Sequence, residues 1–229
     1  MHKRKIFTTE DGSASLIDLE LDETYHSRHG ALSESIHVFI EHGLLSLNHS
    51  GGKFRVLEIG FGTGLNAWLT FIEAQKNKYD IYYCGLEPFP VDELILQKLN
   101  YHSMYGKEKY KEHFFVMHRA DWDQQVAISD HFKLHKRACK IQDFDDKHSF
   151  DLVYFDAFAP QKQPEMWNYE VLKKVCAHMI TGGVLVTYCA KGQFKRDLKA
   201  LGMKVESPPG PPGKREMVRA IKMGEQFEE

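Results

Sequence analysis

Segment 56–66, Val-Leu-Glu-Ile-Gly-Phe-Gly-Thr-Gly-Leu-Asn, constrains the fold of this chain more than any other part of the sequence. The short apolar run at 56–59 predicts a buried strand, and a helical pattern begins at Leu65. Three glycines alternate in the turn between them: Gly60, Gly62 and Gly64. Glycine allows a tight turn and a close approach to a ligand, and the helix that follows presents unpaired N–H groups. The segment therefore predicts a site for a nucleotide-like cofactor, with a plain tight turn as the alternative.

The spacing of the glycines distinguishes this turn from the dinucleotide-binding fingerprint. That fingerprint places its third glycine three residues after the second, whereas Gly64 follows Gly62 by two. With the acid at Glu58, the pattern resembles motif I of the class I methyltransferases, which bind S-adenosylmethionine. The resemblance implies that this segment contacts the cofactor, and the candidate residues are Glu58, Gly60, Gly62, Thr63, Gly64 and Asn66.

The composition is that of an α/β protein of ordinary size. The 229 residues, 42% of them hydrophobic, suit one domain over 1–229, with an N-terminal extension (1–50) and a Rossmann-like core (51–229). The net charge of −2 provides no general attraction to nucleic acid, so any such binding must come from local cations. No apolar run approaches the roughly 20 residues of a membrane span, and we expect a soluble, cytoplasmic protein without membrane contact.

The cysteines and histidines show no spacing typical of a metal site. We expect reduced, core-type cysteines and no metal. The four cysteines are Cys84, Cys139, Cys176 and Cys189. His37 and His42 lie on a predicted helix, and neither is paired with a second ligand at a metal-binding spacing.

An acid follows the second predicted strand of the core. The apolar run at 80–86 ends at Glu87, roughly 20 residues past the glycine turn, where this architecture hydrogen-bonds ribose hydroxyls. A surface acid before a turn is the alternative, because Pro88 and Pro90 interrupt the strand.

The segment that follows is longer than a minimal crossover. We expect a helical insertion at about 91–130 and a third strand at 132–138, with the apolar run 114–117 as the alternative strand. Class I methyltransferases often place an acid after strand three, near the adenine amino group, but here Ala-Cys-Lys follows at 138–140. Adenine contacts are therefore expected from backbone groups, or from Asp121 and Trp122.

A second acid follows the fourth predicted strand, at 151–155. Asp156 then lies at the carboxyl end of a central strand, where open α/β sheets bind ligands, and an N-cap role is the alternative. A helix is predicted at 165–179 and a fifth strand at 184–188. After a helix at 194–201, strands at 203–206 and 217–221 predict a terminal antiparallel hairpin. The predicted fold class is α/β, of the class I methyltransferase type, with a mostly parallel sheet and a C-terminal antiparallel strand.

Several motifs occur together in an order that is specific to one family. They are Tyr-His-Ser at 25–27, Gly-Ala-Leu-Ser-Glu-Ser at 30–35, segment 56–66, Asp-Ala-Phe-Ala-Pro at 156–160 and Gly-Lys-Arg-Glu at 213–216. Over nearly the whole chain, this combination resembles the methyltransferase domain of the MnmC family (also called MnmD). The resemblance implies methyl transfer from S-adenosylmethionine to the aminomethyl nitrogen of the modified wobble uridine, in the anticodon loop of tRNA. It also implies that Tyr25 contacts the cofactor.

The length differs from that of the bifunctional MnmC proteins. Their flavin-dependent oxidase domain, which exposes the amine, does not fit within 229 residues. We therefore expect this chain to act on an aminomethyl group that is already present.

The chemistry of methyl transfer to an amine suggests roles for residues on the substrate side. Asp156 would accept a hydrogen bond from the amine and stabilise the developing ammonium, and Phe158 would stack on the flipped uracil. Packing in the core is the alternative for Phe158. Lys214 and Arg215 are expected to contact tRNA, with support from Lys191, Lys195 and Arg196, and ordinary solvated charge is the alternative for each of them.

Three other functions remain open from the sequence. One is a class I methyltransferase that acts on a small-molecule amine or another nucleophile, which needs no basic surface. Another is a non-catalytic module that senses the cofactor, although the retained acids Glu58, Glu87 and Asp156 disfavour a decayed site. A nicotinamide dehydrogenase is disfavoured by the glycine spacing.

Overall fold

The computed structural model describes residues 3–47, 51–104 and 108–224. The two ends of the predicted domain, 1–2 and 225–229, lie outside the described residues. Within the described part, strands form a three-stranded antiparallel sheet near the N-terminus and an eight-stranded sheet that contains the glycine turn.

The N-terminal extension is a small sheet followed by a helix of changing pitch. Its strands are β1 (Arg4–Thr8), β2 (Ala14–Asp18) and β3 (Glu23–Thr24). Helix α1 (Ala31–Ser35) continues as a π-helix (Ile36–Glu41), and a 3-10 turn follows at Leu44–Ser46. Apolar residues buried along this stretch, such as Leu32 and Phe39, join the same core cluster as the helix after the glycine turn. The extension is thereby packed against the site.

The large sheet is mostly parallel, as predicted. Its strands are β4 (Lys53–Ile59), β5 (Asp80–Leu86), β6 (Gln125–Ser129), β7 (Phe132–Arg137), β8 (Phe150–Phe155), β9 (Met179–Thr187), β10 (Met203–Glu206) and β11 (Val218–Lys222). Their order is β10-β11-β9-β8-β4-β5-β7-β6, with a parallel centre from β9 to β7. The chain runs outward from β4 through β5 and then returns to β8 on the other side, so the topological switch point lies between β4 and β8.

The edges of the sheet differ partly from the expectation. The C-terminal hairpin of β10 and β11 is antiparallel, as predicted. The wholly helical insertion at 91–130 is wrong, because β6 lies within it and pairs antiparallel with β7. Strand three is β7, as preferred, and the alternative run at 114–117 belongs to a helix.

Helices cover both faces of this sheet. They are α2 (Leu65–Asn77), α3 (Glu93–Leu96), α4 (Lys111–Arg119), α5 (Tyr169–Ala177) and α6 (Gly192–Ala200), with 3-10 turns at Tyr101–Ser103, Glu108–Tyr110 and Pro164–Trp167. The single helix predicted at 165–179 is wrong. The side chain of Asn168 accepts a hydrogen bond from the backbone N–H of Val171 and starts a new helix there, and β9 already begins at Met179.

The apolar run of β4 is explained by burial on both faces. Val56 packs into the core cluster that contains α2, whereas Leu57 and Ile59 pack into the cluster that contains α5 and α6. A strand covered on both sides has no polar alternation, which is why the sequence shows a continuous run. Within the described residues, no helix combines the length and apolar character that a membrane crossing needs. All four cysteines lie in the described part and are free; three are buried, whereas Cys139 is half-buried rather than a core residue.

Candidate functional site

A cavity of about 300 Å³ opens at the carboxyl ends of β4, β5 and β8, beside the switch point. This is the edge where ligands bind in open α/β sheets. Nearly all of the predicted site residues line it, and those that do are Tyr25, Gly60, Gly62, Thr63, Asn66, Glu87, Asp156, Phe158 and Lys214. The structure therefore brings together residues that are spread over most of the chain.

The glycine turn has the backbone that its sequence requires. Gly60, Gly62 and Gly64 have φ values of +93°, +50° and +71°, in the left-handed region that disfavours side chains. A Cβ at Gly60 would collide with the backbone carbonyl of Asp156, and one at Gly62 would lie 3.1 Å from the Tyr25 ring. The turn is therefore a cradle of bare backbone at the start of α2, which a ligand can approach closely. The N–H groups of Gly60, Phe61, Gly62 and Gly64 are bonded within the protein, so the cradle contributes its shape rather than free donors.

Asn66 joins two acids beneath the cradle. Its side-chain Nδ2 donates to Glu58 Oε1 and to Asp156 Oδ2, each at 2.9 Å. The other oxygen of Glu58 accepts a hydrogen bond from the Tyr83 hydroxyl at 2.8 Å. Among the described side chains, buried Asn66 Oδ1 is one of the few atoms without a hydrogen-bond partner, which leaves an acceptor for a ligand. Burial and the nearby Asp156 raise the pKa of Glu58 well above its usual range.

Asp156 lies where the β8 strand ends. Its backbone N–H donates to the Ile59 carbonyl at 2.9 Å, which fixes the loop of segment 156–160 against β4. Burial, followed by the charge of Glu34, raises the pKa of Asp156 to about 7, and the hydrogen bond from Asn66 and the charge of Lys214 oppose that rise. An N-cap role is excluded for α5, since Asn168 caps that helix.

Glu34 and Tyr188 complete the cavity wall, and neither was a sequence-based candidate. Glu34 accepts hydrogen bonds from the Ser27 backbone at 2.7 Å and from Lys214 Nζ at 2.5 Å. The Lys214 ammonium also lies 3.8 Å from the centre of the Tyr188 ring. The only sequence signal for Glu34 was its place in the Gly-Ala-Leu-Ser-Glu-Ser motif. Lys214 was expected on an open basic surface, but its ammonium is instead engaged inside the cavity.

Glu87 supports the glycine turn from the neighbouring strand. One carboxylate oxygen accepts the Gly62 N–H at 3.0 Å, and the other accepts the Phe89 N–H at 3.0 Å. The side chain is buried at the cavity wall, where a ribose would lie in this architecture. The surface-acid alternative is therefore wrong.

The N-terminal extension contributes directly to the site. Tyr25 covers Gly62, and its ring makes an edge contact with Phe158 at 5.0 Å between centroids. Next to it, the buried His26 lies 3.5 Å from the Thr63 hydroxyl through Nε2, and Nδ1 pairs with Ser15 at 3.0 Å. Burial lowers the pKa of His26 to about 4, so the imidazole is neutral at physiological pH. Thr63 thus also anchors the turn to the extension.

Phe158 is held by its backbone, which leaves its ring at the cavity. The N–H donates to Gln163 Oε1 at 3.1 Å, and the carbonyl accepts from Trp167 Nε1 at 2.8 Å. Phe158 is partly exposed rather than packed in the core. The core-packing alternative is therefore wrong, and the ring is available to a ligand.

The two groups of residues predicted to contact adenine lie in different cavities. Segment 139–141, directly after β7, lines the main cavity. Asp121 and Trp122 line a second cavity, which shares Phe61 and Gly62 with the first. Of the two candidate sources, segment 139–141 therefore faces the main cavity, and Asp121 and Trp122 do not line it.

The cations predicted to contact tRNA differ in their surroundings. Arg215, Lys191 and Arg196 are exposed. Lys195 pairs with Glu216 at 2.9 Å, and Arg196 donates to Gln193. Of these predicted cations, Arg215 follows Lys214 of the cavity wall in the chain, and Lys191 precedes α6. Lys140, which was not a candidate, is an exposed cation that lines the cavity itself.

Comparisons with known proteins agree with this geometry. A family model described as S-adenosyl-L-methionine-dependent methyltransferase matches residues 101–223. The chain is 27% identical over 212 residues to the tRNA 5-methylaminomethyl-2-thiouridine biosynthesis bifunctional protein MnmC of Marinomonas sp. (strain MWYL1). It is 29% identical over 210 residues to the protein of the same name from Leptospira interrogans serogroup Icterohaemorrhagiae serovar copenhageni (strain Fiocruz L1-130). These matches cover 86% and 87% of this chain, which spans about a third of the length of these curated relatives.

A solved structure shares the fold. The crystal structure of MNMC2 from Aquifex aeolicus superposes with a TM-score of 0.81 at 24% sequence identity, covering 98% of this chain and 72% of that chain. Together with the strand order, this similarity confirms the predicted class I methyltransferase fold.

The environment of Asp156 leads to a titration prediction. We expect its carboxyl group to titrate near pH 7, and Glu34→Gln to lower that pKa, because the variant removes a negative charge and releases the positive charge of Lys214. Carboxyl-detected NMR of ¹³C-aspartate-labelled protein measures both values. The control is Glu170→Gln, an exposed acid of α5 that does not line the cavity. A carboxyl group that titrates near pH 4 in the wild type would contradict the expected environment.

Proposed function

Because the chain belongs to the S-adenosyl-L-methionine-dependent methyltransferase family whose model covers 101–223, we propose that it methylates the aminomethyl nitrogen of a modified wobble uridine in the tRNA anticodon loop. The observation that carries this proposal is the carboxylate of Asp156 at the switch point, in one cavity with the glycine cradle and the partly exposed Phe158. The named MnmC relatives support tRNA as the substrate. A cytoplasmic location follows from a tRNA substrate.

The cavity suits the cofactor on structural grounds. Gly60 and Gly62 line the cavity with bare backbone, and the buried Asn66 Oδ1 offers an unpaired acceptor. We assign Glu87 to the ribose, segment 139–141 to the adenine, and the turn with Tyr25 and Asn66 to the remaining part of the molecule. S-Adenosylmethionine supplies an electrophilic methyl group, so the protein mainly needs to position the nucleophile and exclude water.

Asp156 is the group that handles the amine. A primary alkylamine has a pKa near that of lysine, roughly 10, and attacks only when it is neutral. Proton transfer to an ordinary carboxylate would be uphill by roughly 6 pKa units, or about 8 kcal/mol. Since the pKa of Asp156 is raised to about 7, the difference falls to roughly 3 units, or about 4 kcal/mol. Asp156 can therefore accept the proton as well as orient the nitrogen lone pair.

Lys214 lies on the same cavity wall, where Glu34 balances its charge. Its ammonium binds Glu34 and lies over the Tyr188 ring. This ion pair adds no net charge to the wall, so Asp156 remains the group that acts on the amine. The ring of Phe158, held by Gln163 and Trp167, would stack on the uracil once the base is flipped out of the loop.

Nucleoside analysis tests the reaction and the role of Asp156 together. Purified protein, labelled S-adenosylmethionine and bulk tRNA that lacks the modification should give labelled 5-methylaminomethyl uridine, with or without the 2-thio group. Asp156→Asn should lower kcat by roughly 100-fold or more and leave tRNA affinity nearly unchanged, because the lost interaction belongs to the transition state. Glu170→Gln is the control. Label on small amines with none on tRNA would overturn the tRNA assignment.

The glycine cradle gives a binding prediction with a matched control. Gly62→Val should weaken S-adenosylmethionine binding at least tenfold by calorimetry, because its Cβ crowds Tyr25 at the cavity. Gly202→Val adds the same left-handed strain, at φ +77°, where a Cβ meets nothing within 4 Å. It should lose some stability but keep its cofactor affinity. Equal affinities for the two variants would remove the cradle from the cofactor site.

The exposed cations predict the salt dependence of tRNA binding. Arg215→Ala should weaken binding and reduce the slope of log affinity against log salt by about one, the value for one lost phosphate contact. Lys53→Ala is the control, since Lys53 is an exposed cation at the amino end of β4, the edge of the strand opposite the cavity. Filter binding at several salt concentrations measures both slopes. An unchanged slope for Arg215→Ala would place tRNA elsewhere on the surface.

A further inference from the structure

A cysteine, a histidine and an aspartate meet on the sheet away from the glycine turn. They are Cys84 on β5, His135 on β7 and Asp146 in loop 138–149. The thiol sulfur, one imidazole nitrogen and one carboxylate oxygen all lie within 4.8 Å of one another. None of the three takes part in the proposed methyl transfer, so the cluster is free to serve a different role.

The fold, rather than the local sequence, creates this cluster. In the parallel pairing of β5 with β7, Cys84 lies directly opposite His135, so their side chains share one face of the sheet. Asp146 is fixed above them by hydrogen bonds from the backbone N–H of His148 at 2.9 Å and with the His148 ring at 2.5 Å. The Asp146 side chain is only 8% exposed, although it comes from a loop. A buried acid is thus directed at a thiol and an imidazole.

The histidine ring is already oriented. Its Nδ1 lies 3.0 Å from the hydroxyl of Tyr82, which is two residues from Cys84 on the same face of β5. Metal-binding histidines are commonly held in this way by neighbouring polar groups, which set the tautomer and the ring direction.

These three donors match a zinc ion. Thiolate, imidazole and carboxylate are its usual protein ligands, at about 2.0–2.3 Å in a tetrahedral arrangement. The ligand atoms therefore need to close by roughly 1 Å, which small side-chain rotations provide. A thiolate and a carboxylate balance a divalent cation. Arg137, the nearby positive charge, is directed at Asp123 at 3.2 Å.

We propose that Cys84, His135 and Asp146 form a Zn²⁺ site that fixes loop 138–149 to the sheet, with the imidazole of His148 or a water molecule as the fourth ligand. The loop is also the wall of the main cavity, since its residues Cys139, Lys140 and Ile141 line that cavity. Zinc binding therefore steadies the surface offered to the adenine ring. The site itself does not depend on the proposed tRNA reaction.

Metal binding by the full chain tests the proposal directly. Protein stripped with a chelator is titrated with Zn²⁺ against a chromophoric chelator, and separately with Co²⁺, whose thiolate bond gives a near-ultraviolet charge-transfer band. We expect one Zn²⁺ per chain and a Co²⁺–thiolate band. Cys84→Ser should lose the band, and Asp146→Asn should weaken Zn²⁺ binding at least tenfold. Cys176→Ser is the matched control, a buried free cysteine of α5 outside the cluster, and should behave as the wild type.

The zinc site would be overturned if the wild type took up no Zn²⁺, or if the cobalt–thiolate band persisted in Cys84→Ser. If circular dichroism shows that Cys84→Ser does not fold, Asp146→Asn tests the proposal instead, because asparagine has nearly the size of aspartate. Unchanged Zn²⁺ affinity in Asp146→Asn would overturn the zinc site. Calorimetry with S-adenosylmethionine should show tighter binding to zinc-loaded than to metal-free protein. Equal affinities would overturn the link between the loop and the cavity.

Discussion

Two backbones approach each other at Gly60 and Asp156, and the candidate site depends on that approach. The parallel pairing of β4 with β8 continues past both strands through the Asp156 N–H and the Ile59 carbonyl. Any side chain at Gly60 would collide with the Asp156 carbonyl. Because glycine has no side chain, the ends of the two strands lie close together. Asn66 can therefore reach an acid at the end of each strand. The chemistry of the site follows from a steric condition in the main chain.

The polar groups around this contact stabilise one another as a set. Asn66 donates to both acids, Glu34 binds Lys214, and Lys214 lies over Tyr188. In a poorly solvated cavity, a charged group that lost its partner would be costly to keep buried, so removal of one member affects the others. The N-terminal extension supplies Glu34 to this set and Tyr25 to the wall of the same cavity. It is therefore part of the site rather than an accessory to the fold.

The sequence predicted most of the sheet because its strands are apolar runs bounded by turn residues. The bounds of β5 and β10 agree with the prediction to the residue. Strand β6 was missed because Ile128 is its one buried residue, and its extended form comes from pairing with β7. The break in the helix predicted at 165–179 depends on one side-chain cap, at Asn168, which the apolar periodicity does not report.

The site was predictable only where a local motif carried it. The glycine turn, Glu87 and Asp156 each end a strand, so their place at the sheet edge follows from the sequence. Tyr188 and the Cys84 cluster are brought into place by tertiary packing of distant segments, and no spacing in the sequence could show them. Glu34 lies in a sequence motif, but the motif does not reveal its contact with Lys214. The raised pKa of Asp156 has a further consequence, because the folded protein takes up protons that the unfolded chain releases. Below the ordinary carboxyl pKa, Asp156 is protonated in the folded and the unfolded protein, and its contribution to the free energy of unfolding is fully present. That contribution declines as the pH rises toward 7. A cationic ligand that enters the cavity should therefore release protons to the buffer, so its apparent binding enthalpy should vary with the ionisation enthalpy of that buffer.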